Sequence, residues 1–175
     1  MLAVLITGPP GAGKSTAANA VHDRLGEAGV ANALVEVDEL ERCYPPRDPR
    51  RVLADLAGIC ASYRADEYEL LFVTATVEDD VQRVRLQRAV GVESFLLVRL
   101  HAEPAVLRDR IRAREPADWF GLGELLDAAT RLAAQLPGLT GVDLVLDSAV
   151  SGPIELAERI EDAIARAGTH ERGRE

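Results

Sequence analysis

The sequence predicts an α/β fold, a three-layer sandwich around a five-stranded parallel sheet. Short β-rich apolar runs alternate with longer segments whose apolar residues recur at helical spacing. The first run, Leu2–Thr7, is apolar throughout, as a parallel strand covered on both faces must be. It leads directly into a glycine-rich stretch and then a helix-forming one. At 175 residues the chain has the length of one domain, sufficient to bury a core.

Lys14–Ala28 follows the glycines as a helix, with Ala17, Ala18, Val21 and Leu25 on its inner face and Gly29 just past its end. Ala33–Val37 is the second strand. Arg51–Tyr63 carries Val52, Leu53, Leu56, Ile59 and Cys60 at the helical period. Leu70–Val77 is β-rich, and Asp79–Val90 is helical with a charged outer face. Ser94–Leu100 is a fourth strand, and Pro104–Ala113 a helix with proline in its first turn. Val142–Leu146 is the fifth strand, and Pro153–Ala167 the closing helix. Strands separated by helices imply right-handed crossovers. Between Glu115 and Pro137 the alternation is interrupted by Trp119, Phe120 and a short helix around Leu125–Leu136. Residues 1–167 are thus expected to form one domain with a lid at about 114–137. The polar tail, Gly168–Glu175, is expected to be disordered.

Composition narrows the function. The hydrophobic share of 47% and charged share of 28% belong to an ordinary globular protein. A net charge of −9 argues against broad binding to nucleic acid or an anionic membrane, so any phosphate recognition must be local. No apolar run approaches the ~20 residues of a membrane span. Met1–Thr7 lacks the basic region and cleavage site of a signal peptide and reads as a buried strand. Cys43 and Cys60 have neither metal nor redox spacing and read as reduced thiols, so the expected location is cytoplasmic.

Gly8-Pro9-Pro10-Gly11-Ala12-Gly13-Lys14-Ser15 fits G-x-x-x-x-G-K-[ST] at every fixed position, after a strand and before a helix. Glycines let backbone N–H groups converge on phosphate oxygens, and the helix N-terminus adds partial positive charge. Lys14 would reach the β- and γ-phosphates, the Ser15 hydroxyl would ligate Mg²⁺, and Thr16 would meet the α-phosphate. Lys14 is the only lysine among 20 basic residues. A GC-rich genome explains the arginine bias, yet lysine stands where a compact ammonium is needed and a guanidinium is not equivalent.

Gly8–Thr16 resembles the Walker A loop of the P-loop nucleoside and small-molecule kinases, the group of adenylate, shikimate, gluconate and chloramphenicol kinases. The resemblance implies a P-loop NTPase fold of nucleotide-kinase type, ATP with Mg²⁺ as cofactors, and a mobile lid. Asp38, at the end of the second strand, matches the family's aspartate that accepts the substrate hydroxyl proton or holds Mg²⁺ through water. Its carboxylate also suits a helix cap over Glu39–Arg42. Arg110 and Arg114, four apart on one helix face, resemble the R-x-x-x-R that opens the lid. That resemblance puts Arg110 on the adenine and Arg114 on the phosphates, whereas a solvated basic face is the plain alternative. Arg108 and Arg112 read as surface residues. Arg42 and Tyr44 lie where these kinases bind the acceptor, although Pro45, Pro46 and Pro49 mark the same stretch as a surface loop. Asp147–Ser151 resembles the adenine-side loop, or is a turn capped at Ser151.

Leu70–Thr76 lacks a terminal aspartate, which shifts weight onto Asp38. Glu78, Asp79 and Asp80 read as an acidic first helical turn. The pair Asp38-Glu39 resembles that of AAA-type ATPases. Its closeness to Lys14, and a chain too short for a helical second domain, speak against that class. With one lysine there is no N-K-x-D motif, so a GTPase is disfavoured. The expected activity is γ-phosphoryl transfer from Mg-ATP to a hydroxyl of a small molecule. The alternatives are a nucleoside monophosphate kinase and an ATP-binding regulatory module.

Overall fold

A computed structural model describes residues 1–172 of the chain. Five strands form one parallel sheet in the order β2-β3-β1-β4-β5. They are β1 (Leu2–Thr7), β2 (Asn32–Glu36), β3 (Leu70–Thr74), β4 (Ser94–His101) and β5 (Leu144–Asp147). Leu5 of β1 is flanked by Val73 on one side and Leu97 on the other, which places the glycine-rich turn at the centre of the sheet's carboxyl edge.

The unbroken apolar run of β1 is explained by its two covered faces. Val4 and Ile6 pack with Ala17 and Val21 of α1 (Lys14–Glu27), Leu107 and Ile111 of α5 (Pro104–Arg114), and Ile160 of α7 (Pro153–Arg172). Ala3 and Leu5 point the other way, onto Val52 and Leu56 of α3 (Pro49–Ala65) and Leu86 of α4 (Asp80–Val90). Each face is built from Ala, Val, Leu and Ile, with Phe72 the one large aromatic fully buried among the described residues. Alternation by two along a strand therefore serves two layers at once.

Several boundaries differ from the expected ones. A single turn, α2 (Val37–Leu40), follows β2 directly, so Asp38 lies in a helix and not at a strand end. β3 stops at Thr74, after which Ala75 N–H donates to the Ile6 carbonyl at 3.3 Å and Val77 N–H to Thr7 Oγ1 at 3.1 Å. α6 spans Leu122–Gln135 and packs Leu126 and Ala129 into the core beneath α5. The closing helix runs past Ala167 to Arg172, which corrects the expected disordered tail over 168–172. One glycine inside a helix costs only about 1 kcal/mol and does not end it. The remainder of that tail, 173–175, lies outside the described residues.

Candidate active site

The turn between β1 and α1 is shaped by what glycine alone permits. Gly8 has φ 156°, and a Cβ there would sit 2.6 Å from the Leu100 carbonyl oxygen. Gly11 has φ 82°, and its Cβ would meet the Leu107 carbonyl oxygen at 2.7 Å. The loop is thereby pressed against β4 and α5. Gly13 caps α1 without any side-chain hydrogen bond, so the first amides of the helix are left to a ligand.

Lys14 is buried beneath this loop. Its ammonium donates to Thr76 Oγ1 at 2.9 Å and to the Gly8 carbonyl at 3.3 Å, and Asp38 Oδ2 lies 3.9 Å away. Burial holds its pKa below the usual 10.5; the charge of Asp38 opposes that shift, Arg114 adds to it and Glu36 opposes it. A polyphosphate on the loop amides would add negative charge beside the ammonium and oppose that shift further.

The carboxyl ends of β2 and β3 bring oxygens to the same place, as expected of the ligand side of a parallel sheet. Ser15 Oγ donates to Glu36 Oε2. Glu36 is the N-cap residue of α2, and Asp38 sits in its first turn, facing Lys14 rather than capping a helix. A hydroxyl and two carboxylates beside a phosphate loop form a hard-oxygen donor set of the kind Mg²⁺ takes. Ser15, Glu36 and Asp38 therefore fit that ion. Thr76 stands where strand three lacks its aspartate. Asp79 caps α4, its carboxylate accepting from the Gln82 N–H at 2.8 Å, and Glu78 pairs with Arg131 of α6 at 3.0 Å.

Two pockets continue from the loop, one on each side. On the first, of about 340 Å³, Gly11, Ala12, Gly13 and Thr16 face Arg110, Arg114 and Ser148. The Arg110 guanidinium donates to the Gly11 carbonyl (3.3 Å), Ser148 Oγ (3.1 Å) and the Ser148 carbonyl (2.6 Å), which ties α5 to the loop and to the turn after β5. Arg114 is exposed, pairs with Glu115 at 2.7 Å, and borders both this pocket and the one around Lys14 and Ser15. Arg112 is at the surface, paired with Asp109. Arg108 is not a plain surface residue, since it donates to the Leu126 carbonyl and joins α5 to α6.

The second pocket, of about 440 Å³, lies between α2, α3 and α4 and has Asp38, Glu41, Thr76, Glu78, Gln82 and Arg85 as its polar lining. Its walls are Val37, Val52, Leu53, Val77 and Leu86. Arg42 and Tyr44 line none of these pockets. Arg42 pairs with Glu39, and Tyr44 is 97% exposed on the proline-rich loop. Sequence reasoning passed over Glu36, Glu41 and Arg85. Only Glu36 carried a signal, as the last residue of a parallel strand.

The AAA domain family matches residues 4–119. An adenylyl-sulfate kinase of Paraburkholderia xenovorans is 30% identical over 164 residues, covering 82% of this chain and 89% of the relative. Among solved structures, a gluconokinase from Sinorhizobium meliloti 1021 superposes with a TM-score of 0.68 at 19% identity, covering 99% of this chain and 97% of that one. An APS kinase from Mycobacterium tuberculosis, in complex with AMPPNP and APS, gives 0.63 at 23% identity over 94% of this chain and 97% of that one. The chain belongs to the AAA domain family and is a P-loop small-molecule kinase. Excluding the AAA class from the spacing of Asp38 and Glu39 was therefore wrong. The matched region ends at Trp119, before α6, so membership rests on the part of the chain that carries the phosphate loop.

Proposed function

We propose that the protein transfers the γ-phosphoryl group of Mg-ATP to a hydroxyl of a small molecule. The observation that carries this is the place of Asp38, which borders both the Lys14 pocket and the pocket between α3 and α4. A phosphoryl donor on one side and an acceptor on the other meet at that carboxylate. The acceptor oxygen bonds to the γ-phosphorus as the bond to the bridging oxygen breaks. The hydroxyl proton passes to Asp38, and ADP leaves with the bond's electron pair. Loop amides and Lys14 hold the β- and γ-phosphates, and Arg114 reaches the charge spread over the group in transit. Ser15 and Glu36 would hold Mg²⁺, which when bound neutralises phosphate oxygens and leaves Asp38 to take the proton.

Arg110 forms one wall of the nucleoside side, opposite Thr16, with Ser148 behind it. The segment 114–137 serves as the lid: the Trp119 and Phe120 rings lie tilted with centroids 6.0 Å apart, Phe120 is 97% exposed, and Leu125 borders the Lys14 pocket. Asp38→Asn tests the reading. ATP affinity, measured by calorimetry, should stay within about threefold while acceptor-dependent ADP release falls about 10²–10⁴-fold. Wild-type turnover in that variant removes Asp38 from the chemistry.

A further inference from the structure

We infer that the acceptor is a hydroxylated molecule with an apolar body and a protonated amine, recognised by Glu41 beside Asp38. The inference rests on the transferase reading above and adds the chemical class of the substrate. The pocket between α2, α3 and α4 holds three carboxylates, Asp38, Glu41 and Glu78, against one guanidinium, Arg85. Glu78 is engaged by Arg131, and Asp38 lies near Lys14. Glu41 has no ion-pair partner among the described residues, although it borders both the acceptor pocket and the phosphate pocket. Glu41 is itself exposed, and partial desolvation and then the charge of Asp38 push its carboxyl above the ordinary range.

An anionic acceptor would bring further negative charge against Asp38, Glu41 and a polyphosphate, with repulsion at each close approach. The polyphosphate is met by Lys14 and Arg114 on the donor side, whereas in the acceptor lining Arg85, exposed on α4, stands alone against Asp38 and Glu41. An ammonium between Glu41 and Asp38 reverses those signs and leaves a neighbouring hydroxyl to reach Asp38. Val52, Leu53, Val77 and Leu86 would cover the apolar remainder. The adenylyl-sulfate relative, by contrast, is named for a substrate that is itself an anion.

The test uses two matched series on the full chain with Mg-ATP. One is phenylethanolamine, phenylethanediol and mandelate; the other is glucosamine, glucose and gluconate. Phosphorylated product is read by mass spectrometry, and binding by calorimetry with a non-hydrolysable ATP analogue present. In each series the amine should bind most tightly and be transferred most efficiently, and the acid least. Glu41→Gln should lower kcat/KM for the amines about tenfold, with neutral members within about twofold. Glu41→Asp should restore part of the loss. Preference for mandelate or gluconate, or no binding of either amine, overturns the inference while any transfer at all upholds the transferase. An equal loss for every acceptor in Glu41→Gln also overturns it, by placing Glu41 on the donor side. Binding of an amine with no transfer to any acceptor upholds the class of ligand and removes the transferase.

Discussion

In the proposed reading the donor side of the crevice is framed by glycine-loop backbone around one buried lysine, and the acceptor side is lined by side chains. The phosphate loop is wedged against the carbonyls of Leu100 and Leu107, and its cation is buried. Across Asp38, the proposed acceptor wall rests on a four-residue helix, the exposed Glu41, the first turn of α3 and one face of α4. Backbone geometry of the first kind leaves little room for a different ligand. Side chains on an open surface allow one acceptor to replace another without disturbing the donor. On the proposed function, the difference puts phosphate recognition in the fold and acceptor choice in a few replaceable residues.

The comparison can be broken hardest at Lys14. Lys14→Met should lower transfer by at least about 10³-fold for every acceptor and weaken Mg-ATP binding, as calorimetry and turnover will show. The same variant should be more stable than the parent without nucleotide. The folded pKa of Lys14 lies below 10.5, so at neutral pH the buried charge opposes folding. That cost fades as pH rises through the folded value towards 10.5, and the gain in Tm should shrink with it. A drop in apo Tm at neutral pH would show that the bonds to Thr76 and Gly8 outweigh desolvation.

Gly11→Ala comes next. A positive φ and a 2.7 Å approach to a carbonyl should cost about 1–3 kcal/mol in denaturant unfolding and displace the loop enough to impair nucleotide binding. Arg110→Ala should weaken nucleotide binding about tenfold by freeing the Ser148 turn, with acceptor KM unchanged. The smallest effect is expected at the proline-rich loop after α2. Arg42→Ala and Tyr44→Ala should leave kcat/KM within about twofold, because neither side chain borders a pocket and the Arg42 pair is exposed. A tenfold rise in acceptor KM from either would show that this loop folds over the bound substrate.

Legibility followed the same division. The phosphate loop was readable because its chemistry needs a fixed local order of glycines, one lysine and one hydroxyl. Arg110 and Arg114 were readable from helical spacing, since four residues bring side chains to one face. Arg42 and Tyr44 lie near Asp38 along the chain, but that distance says nothing about direction once the backbone turns into α2 and a proline-rich loop. Arg85 belongs to a helix more than forty residues after Asp38, and no local pattern distinguishes it from other surface arginines. Thr76 was seen only as what remained where an aspartate was expected. Its bond to Lys14 requires β3 to lie beside β1.

By itself the sequence determined the layer architecture, the phosphate loop and the identity of the buried ammonium. Those depend on periodicity and on contacts between near neighbours, which the order of residues encodes directly. Only the tertiary structure decided that Glu36 meets Ser15, that Thr76 holds Lys14, and that Glu41 and Arg85 share a pocket. Each joins residues from separate elements, and their meeting depends on how parallel strands align at one edge of the sheet.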